Sequence, residues 1–145
     1  MNSVVNALEV VLADTYALYL KTQNYHWNVE GQDFKPLHEM FKEQYDDLFE
    51  AIDVVGELIR GLGSRTMGTF GDFSRLTNIK DGNKDASAAQ MVSDLLHDHE
   101  IIGQTLGKAS KIAQEADDGV VASYLGSRMA VHRKTAWMLR STLAK

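Results

Sequence analysis

The sequence contains no cysteine, which removes disulfides and thiolate metal sites and leaves imidazole nitrogen and oxygen as the only strong metal ligands. Only one of its 145 residues is proline, and from Asn2 to about Val29 there is neither proline nor glycine, so nothing in that stretch interrupts a helix. No apolar run approaches the roughly 20 residues that cross a bilayer, and the start of the chain lacks the basic-then-apolar order of a signal peptide. A cytoplasmic protein without a membrane partner is expected. Neither terminus carries a lysine-rich run, and the net charge is -5, which argues against a general nucleic-acid surface.

What is present is enough apolar material, 44% of residues, for one domain over residues 1–145 with a core of its own. Val4, Leu8, Val11, Leu12, Tyr16 and Tyr19 recur at helical spacing, predicting one long first helix. Gly31-Gln32-Asp33 breaks it. Asp33 is placed to cap a second helix, and Pro36 falls in that helix's first turn, where a missing N–H is tolerated. Its apolar stripe is Leu37, Phe41, Leu48, Ile52, Val55, Ile59 and Leu62, and it ends at Gly61 to Gly63. A long glycine-rich crossover follows, with a short helix around Gly71 to Leu76.

Ser87-Ala88-Ala89-Gln90 has the form of a capping box and opens a third long helix through Met91, Leu95, Ile102, Leu106, Ala109 and Ala113. After a corner at Asp117-Asp118-Gly119, a fourth runs from about Val120 to Leu143 with Val121, Leu125, Met129, Ala136 and Leu139 inward. The fold class predicted is all-α: a four-helix bundle with a single long crossover, the connectivity of ferritin-like folds.

His26 and His38 stand at equal distances from the first corner, so an antiparallel hairpin brings them side by side. In a cysteine-free protein a metal beside two imidazoles also wants carboxylates. Asp53 and Glu57 are spaced i, i+4, on one face of the second helix, about 60° and 100° round from His38 and away from the apolar stripe. Fifteen residues at about 1.5 Å each separate His38 from Asp53 by roughly 22 Å, so one chain cannot close the site. Two second helices packed antiparallel about a two-fold axis near Asp46 and Asp47 bring His38 of each to Asp53 and Glu57 of the other. Phe49 and Gly56 fall on the same face, as suits a surface that meets another helix closely.

At these residues the chain resembles the Dps family, the miniferritins named as DNA-binding proteins from starved cells. The resemblance rests on His26-Trp27, His38-Glu39, Asp53 and Glu57 at the intervals of that family's inter-subunit ferroxidase centre, and it extends to "HRKTAWMLR", His132 to Arg140. It implies a dodecameric, ferritin-like shell that oxidises Fe(II), preferably with hydrogen peroxide, and stores ferric mineral against oxidative damage. It also implies His26, His38, Asp53 and Glu57 as catalytic iron ligands, the histidines from one subunit and the acids from its mate. Trp27 matches a family tryptophan discussed as an electron relay, with packing at the dimer interface as the alternative. Where many members carry an acid four positions after the second histidine, this chain has Lys42, about 40° round from His38. An ammonium there is expected to pair with Asp53 or Glu57 and to weaken a second iron position.

"HDHE", His97 to Glu100, looks like a metal box, but His99 falls on an apolar stripe and reads as a hydrogen-bonded core histidine, as does His132. Asp117 and Asp118 have two readings, a cation-concentrating pore or the capping of the fourth helix by Asp118. The competing function, suggested by the family's name, is a DNA-compacting nucleoid protein with secondary iron chemistry; the acidic balance and missing basic tail predict weak or absent DNA binding.

Overall fold

The computed structural model describes residues 2–145. The chain forms α1 (Ser3–Asn28), α2 (Phe34–Gly61), α3 (Phe70–Leu76), α4 (Ala88–Glu115) and α5 (Gly119–Leu143), the four long helices making the bundle and α3 lying in the crossover. Each boundary has a local cause. Asn2 caps α1 by accepting from the backbone N–H groups of Val4 and Val5, Thr69 caps α3, and Ser87 and Gln90 complete the reciprocal capping box of α4. Asp33 stands at the N-cap position of α2, but its side chain makes no cap hydrogen bond.

Left-handed residues close two corners. Gly63, at φ 87°, follows the cap of α2. Asp117 holds φ 56° at the end of α4, with its N–H donating to Gln114 O and that of Asp118 to Ala113 O at 2.9 Å, the paired bonds of a Schellman turn. Asp118 then accepts from Val121 N at 3.0 Å and starts α5. Both aspartates thus have local structural work at this corner.

α1 packs on α2 and α4, and α4 on α5. The core contains Leu8, Leu18, Phe41, Leu48, Ile59, Met91, Leu95, Ile102, Leu106, Leu125 and Leu139, all with almost no exposure. The expected stripes of α2, α4 and α5 largely hold, with Ile52, Leu62 and Met129 only half buried. Tyr16 and Tyr19 are half buried too: Tyr16 stacks on Phe73 at 4.9 Å, and Tyr19 meets Tyr45 and Phe49. One expectation needs correcting. α1 contains an 18-residue window of mean hydropathy 1.3, long and apolar enough to span a bilayer, because the scale credits apolar residues on every side of a helix buried in a bundle. Its Asp14 and Lys21 are buried among polar partners, as befits a core helix.

Those partners tie the bundle together. Asp14 accepts from Thr105 Oγ1 on α4 at 2.6 Å, and from Thr77 Oγ1 and Asn78 N in the crossover at 2.8 and 2.6 Å. Lys21 Nζ lies 2.8 Å from Asp98 Oδ2 and 3.3 Å from Asp94 Oδ2. Between α2 and α5, Arg128 makes a bidentate pair with Asp47 at 3.0 and 2.8 Å. The same guanidinium lies 3.0 Å from His132 Nε2, and His132 Nδ1 lies 2.9 Å from His99 Nδ1. Burial pushes the His99 imidazole down to about 3 and holds His132 well below its ordinary value, aided by the charge of Arg128. Both rings are therefore neutral at pH 7.

Candidate metal centre at the α1–α2 hairpin

The turn at Gly31, with φ 114°, folds α2 back along α1 and brings His26 against His38. The two rings stack with centroids 3.8 Å apart and planes at 15°. Each Nδ1 sits 2.7 Å from the other residue's backbone carbonyl, His26 to His38 and His38 to His26. A carbonyl oxygen only accepts, so each Nδ1 carries the proton and donates. In the neutral rings this fixes the tautomer: both Nε2 atoms then hold free lone pairs, the state in which imidazole binds a metal, and each ring's orientation is fixed from behind. His26 is buried and His38 half buried. Phe34 stacks on His38 at 5.0 Å, and Tyr45 meets the edge of His26 at 5.2 Å.

Asp53 and Glu57 stand on the exposed face of α2, facing a groove of about 640 Å³ whose other walls include Leu12, Tyr16, Met67 and Phe73. The Asp53 carboxylate, through a shared hydrogen bond and then through its charge, holds the Glu57 carboxyl above its ordinary range. Among the described residues no lysine or arginine pairs with either acid; Arg60, on the same groove, donates instead to Ser64 O at 3.1 Å. Two adjacent unneutralised carboxylates are a good place for a cation.

The structure joins the histidines to each other and the acids to each other, but not the pairs. Among the described residues no group of three or more histidine or acidic side chains of one protomer converges on a point. The surface around them is apolar for a solvated face, with Trp27 63% and Phe49 61% exposed and Leu20, Phe34 and Val54 also open. A side chain on Gly56 would meet nothing within 4 Å in its own protomer, so the fold of one chain does not demand glycine there.

Lys42 departs from expectation: its ammonium pairs with Asp46 of its own chain at 2.9 Å and lies 5.3 Å over the Tyr45 ring. Asp46, at i+4 on the same helix, is simply nearer than Asp53 or Glu57. His99 and His132 pair with each other in the core, and His97 is exposed, so "HDHE" is no metal box. What sequence reading missed is the reciprocal histidine–carbonyl pairing and the aromatic band from Phe34 through Tyr45 and Tyr19 to Phe49; the i, i+4 spacing of Tyr45 and Phe49 was the available signal.

Comparison with known proteins adds an independent line. Residues 5–145 match the model of the ferritin-like domain. The chain is 39% identical over 140 residues to a low temperature-induced protein of Nostoc, covering 95% of this chain and 78% of that one. It is 32% identical over 140 residues to DNA protection during starvation protein 2 of Bacillus anthracis, covering 97% and 96%. The crystal structure of Dps from Staphylococcus aureus superposes with a TM-score of 0.96 at 32% identity, covering 99% and 98%.

Proposed function

Since the chain belongs to the Dps family of ferritin-like proteins, we propose that it is a ferroxidase and iron-storing cage whose oxidation sites lie between subunits. Iron oxidation and storage are properties of that family. In the proposed assembly, a dodecamer, Fe(II) is held by His26 and His38 Nε2 of one subunit and by Asp53 and Glu57 of its two-fold mate. Hydrogen peroxide is the preferred oxidant: one molecule accepts an electron from each of two Fe(II) ions, its O–O bond breaks, and the ferric product hydrolyses to mineral. Removing both reactants suppresses hydroxyl-radical formation. Trp27, exposed beside the first ligand, is positioned to pack the dimer interface.

The observation that carries this reading is the crossed pair of Nδ1–carbonyl bonds, which leaves two metal-ready nitrogens on one small surface. The exposed acid pair is its chemical complement. Nitrogen with carboxylate suits iron in a protein that has no thiolate.

The test is complementation. His38→Ala and Glu57→Ala particles should each lose catalysed Fe(II) oxidation while keeping cage mass. Co-assembled at equal ratio, half of the dimers are mixed and one of each such dimer's two sites has all its ligands, so about a quarter of the sites should return. Recovery at that level, followed by the ferric absorbance rise with peroxide, is the expected result. No recovery from mixed particles of native mass would refute the shared site.

A further inference from the structure

Three tyrosines continue the ring contacts that begin at His26. The His26 ring meets Tyr45 at 5.2 Å between centroids, Tyr45 meets Tyr19 at 5.8 Å, and Tyr19 meets Tyr16 at 5.8 Å. All three contacts are edge-on, with planes at 74° to 76°, and lie within the about 4.5–7 Å that neighbouring aromatic rings keep. The hairpin sets this line: Tyr19 stands seven residues before His26 and Tyr45 seven after His38, so the fold that pairs the histidines pairs these tyrosines too. Tyr16 is one turn further along α1. It lines the groove that Asp53 and Glu57 face. Within one protomer, a row of meeting rings therefore runs from the histidines to the groove of the acids.

On the shared-site reading, on which this inference rests, the two ends of that row belong to different iron sites. The histidines of a protomer serve one site of the dimer and its acids the other, with roughly 22 Å of α2 between them. That is too far for one direct electron jump at a useful rate, whereas steps between meeting rings are short. In a chain without cysteine, phenol and indole are the side chains that give up one electron most readily. All three tyrosines are half buried, which shields their rings from side reactions, while Trp27 is 63% exposed and among the described residues pairs with no other ring. There is also a demand for such a path. Lys42, on the ligand face with its ammonium 5.3 Å over the Tyr45 ring, opposes a second cation in the same site, and an oxidant that takes two electrons then finds only one Fe(II) beside it.

We propose that Tyr45, Tyr19 and Tyr16 relay single electrons between the two iron sites of a dimer, so that one Fe(II) in each site together reduces one molecule of a two-electron oxidant. With the peroxide of the proposed reaction, the near Fe(II) gives one electron and the far Fe(II) the other. The O–O bond breaks, two protons are taken up from solvent, and two waters leave. Each phenol loses an electron and its proton, regains both as its neighbour is oxidised in turn, and ends unchanged. When iron is in excess, a further Fe(II) reaching the near site supplies the second electron and the relay is idle.

The experiment compares wild type with Tyr19→Phe, which keeps the ring and removes the oxidisable phenol, and with Tyr16→Phe, which breaks the row at its far end. Cages loaded anaerobically with one Fe(II) per site are mixed with hydrogen peroxide, and the peroxide consumed per Fe(III) formed is measured beside the electron paramagnetic resonance signal of freeze-quenched samples. Wild type should use about one peroxide for two Fe(II). Both variants should approach one peroxide for each Fe(II), about a twofold rise, and hold a tyrosyl signal that outlasts the wild type's because the radical on Tyr45 is no longer refilled from the far iron. With iron in excess all three proteins should match. Equal peroxide use by wild type and variants at one Fe(II) per site would overturn the relay and leave the shared site standing. A difference that persists with iron in excess would mark a structural effect of the substitutions and overturn it too. Failure of the mixed-particle complementation would instead remove the shared site itself, so the two failures are told apart.

Discussion

Acid should destabilise this protein through two buried histidines. His99 and His132 are neutral in the fold because their burial, and the guanidinium of Arg128, oppose protonation; His99 is pushed down to about 3. In the unfolded chain each titrates near 6.5. Below that pH the unfolded state binds protons that the folded state refuses, so stability falls as pH falls, through the window from 6.5 toward 3. For His99 the slope averages about 1 kcal/mol per pH unit over this range. From pH 6.5 to 4.5, His99 alone costs about 2 kcal/mol, against a typical total of 5–15 kcal/mol, and His132 adds to it in the same direction. For a chain of this size the His99 share alone is a fall in Tm of roughly 4–8 °C.

The assay is thermal or urea unfolding between pH 7 and 4.5 at one protein concentration, with wild type beside a His99→Gln/His132→Gln variant. The difference between the two curves is what matters, because Asp98, whose carboxyl burial raises, contributes with the opposite sign in both proteins. Whatever stability the variant starts from, its profile should be flatter. Parallel curves over that range would refute the claim that these rings are held neutral by the fold.

Other expectations follow from named contacts. Lys42→Asp replaces an exposed ammonium on the proposed ligand face and should raise the iron bound per site before mineral forms, read by titration with Fe(II) without oxidant; an unchanged stoichiometry would mean that Lys42 does not limit a second position. Asp14→Ala leaves Thr77, Asn78 and Thr105 without their shared acceptor and should cost about 3–5 kcal/mol, with proteolysis first appearing between residues 77 and 86; a loss below about 1 kcal/mol would contradict its role as the tie between crossover and bundle. Asp117→Gly should stabilise the fold by roughly 1 kcal/mol, since glycine holds the left-handed corner without strain. At neutral pH and physiological salt, a gel shift with duplex DNA should be absent or feeble, and a strong one would favour the nucleoid reading.

Much of the fold was written locally. Helix boundaries came out within a residue or two because glycines at 31 and 63, the Ser87–Gln90 box and the Asp118 cap act over three or four residues, a range that sequence displays directly. The symmetric placement of His26 and His38 about a turn likewise foretold their meeting, because a tight antiparallel hairpin maps equal separations onto neighbours. Tertiary structure alone decided the rest. It took 12 residues of separation, folded through one corner, to pair each imidazole with the other's carbonyl and so choose its tautomer. It took 81 to join Asp47 to Arg128, and 91 to join Asp14 to Thr105, so no periodicity announced which polar residues would be buried and satisfied. Periodicity records which face of a helix avoids water; the partner that makes a buried charge tolerable is a matter of where distant segments meet.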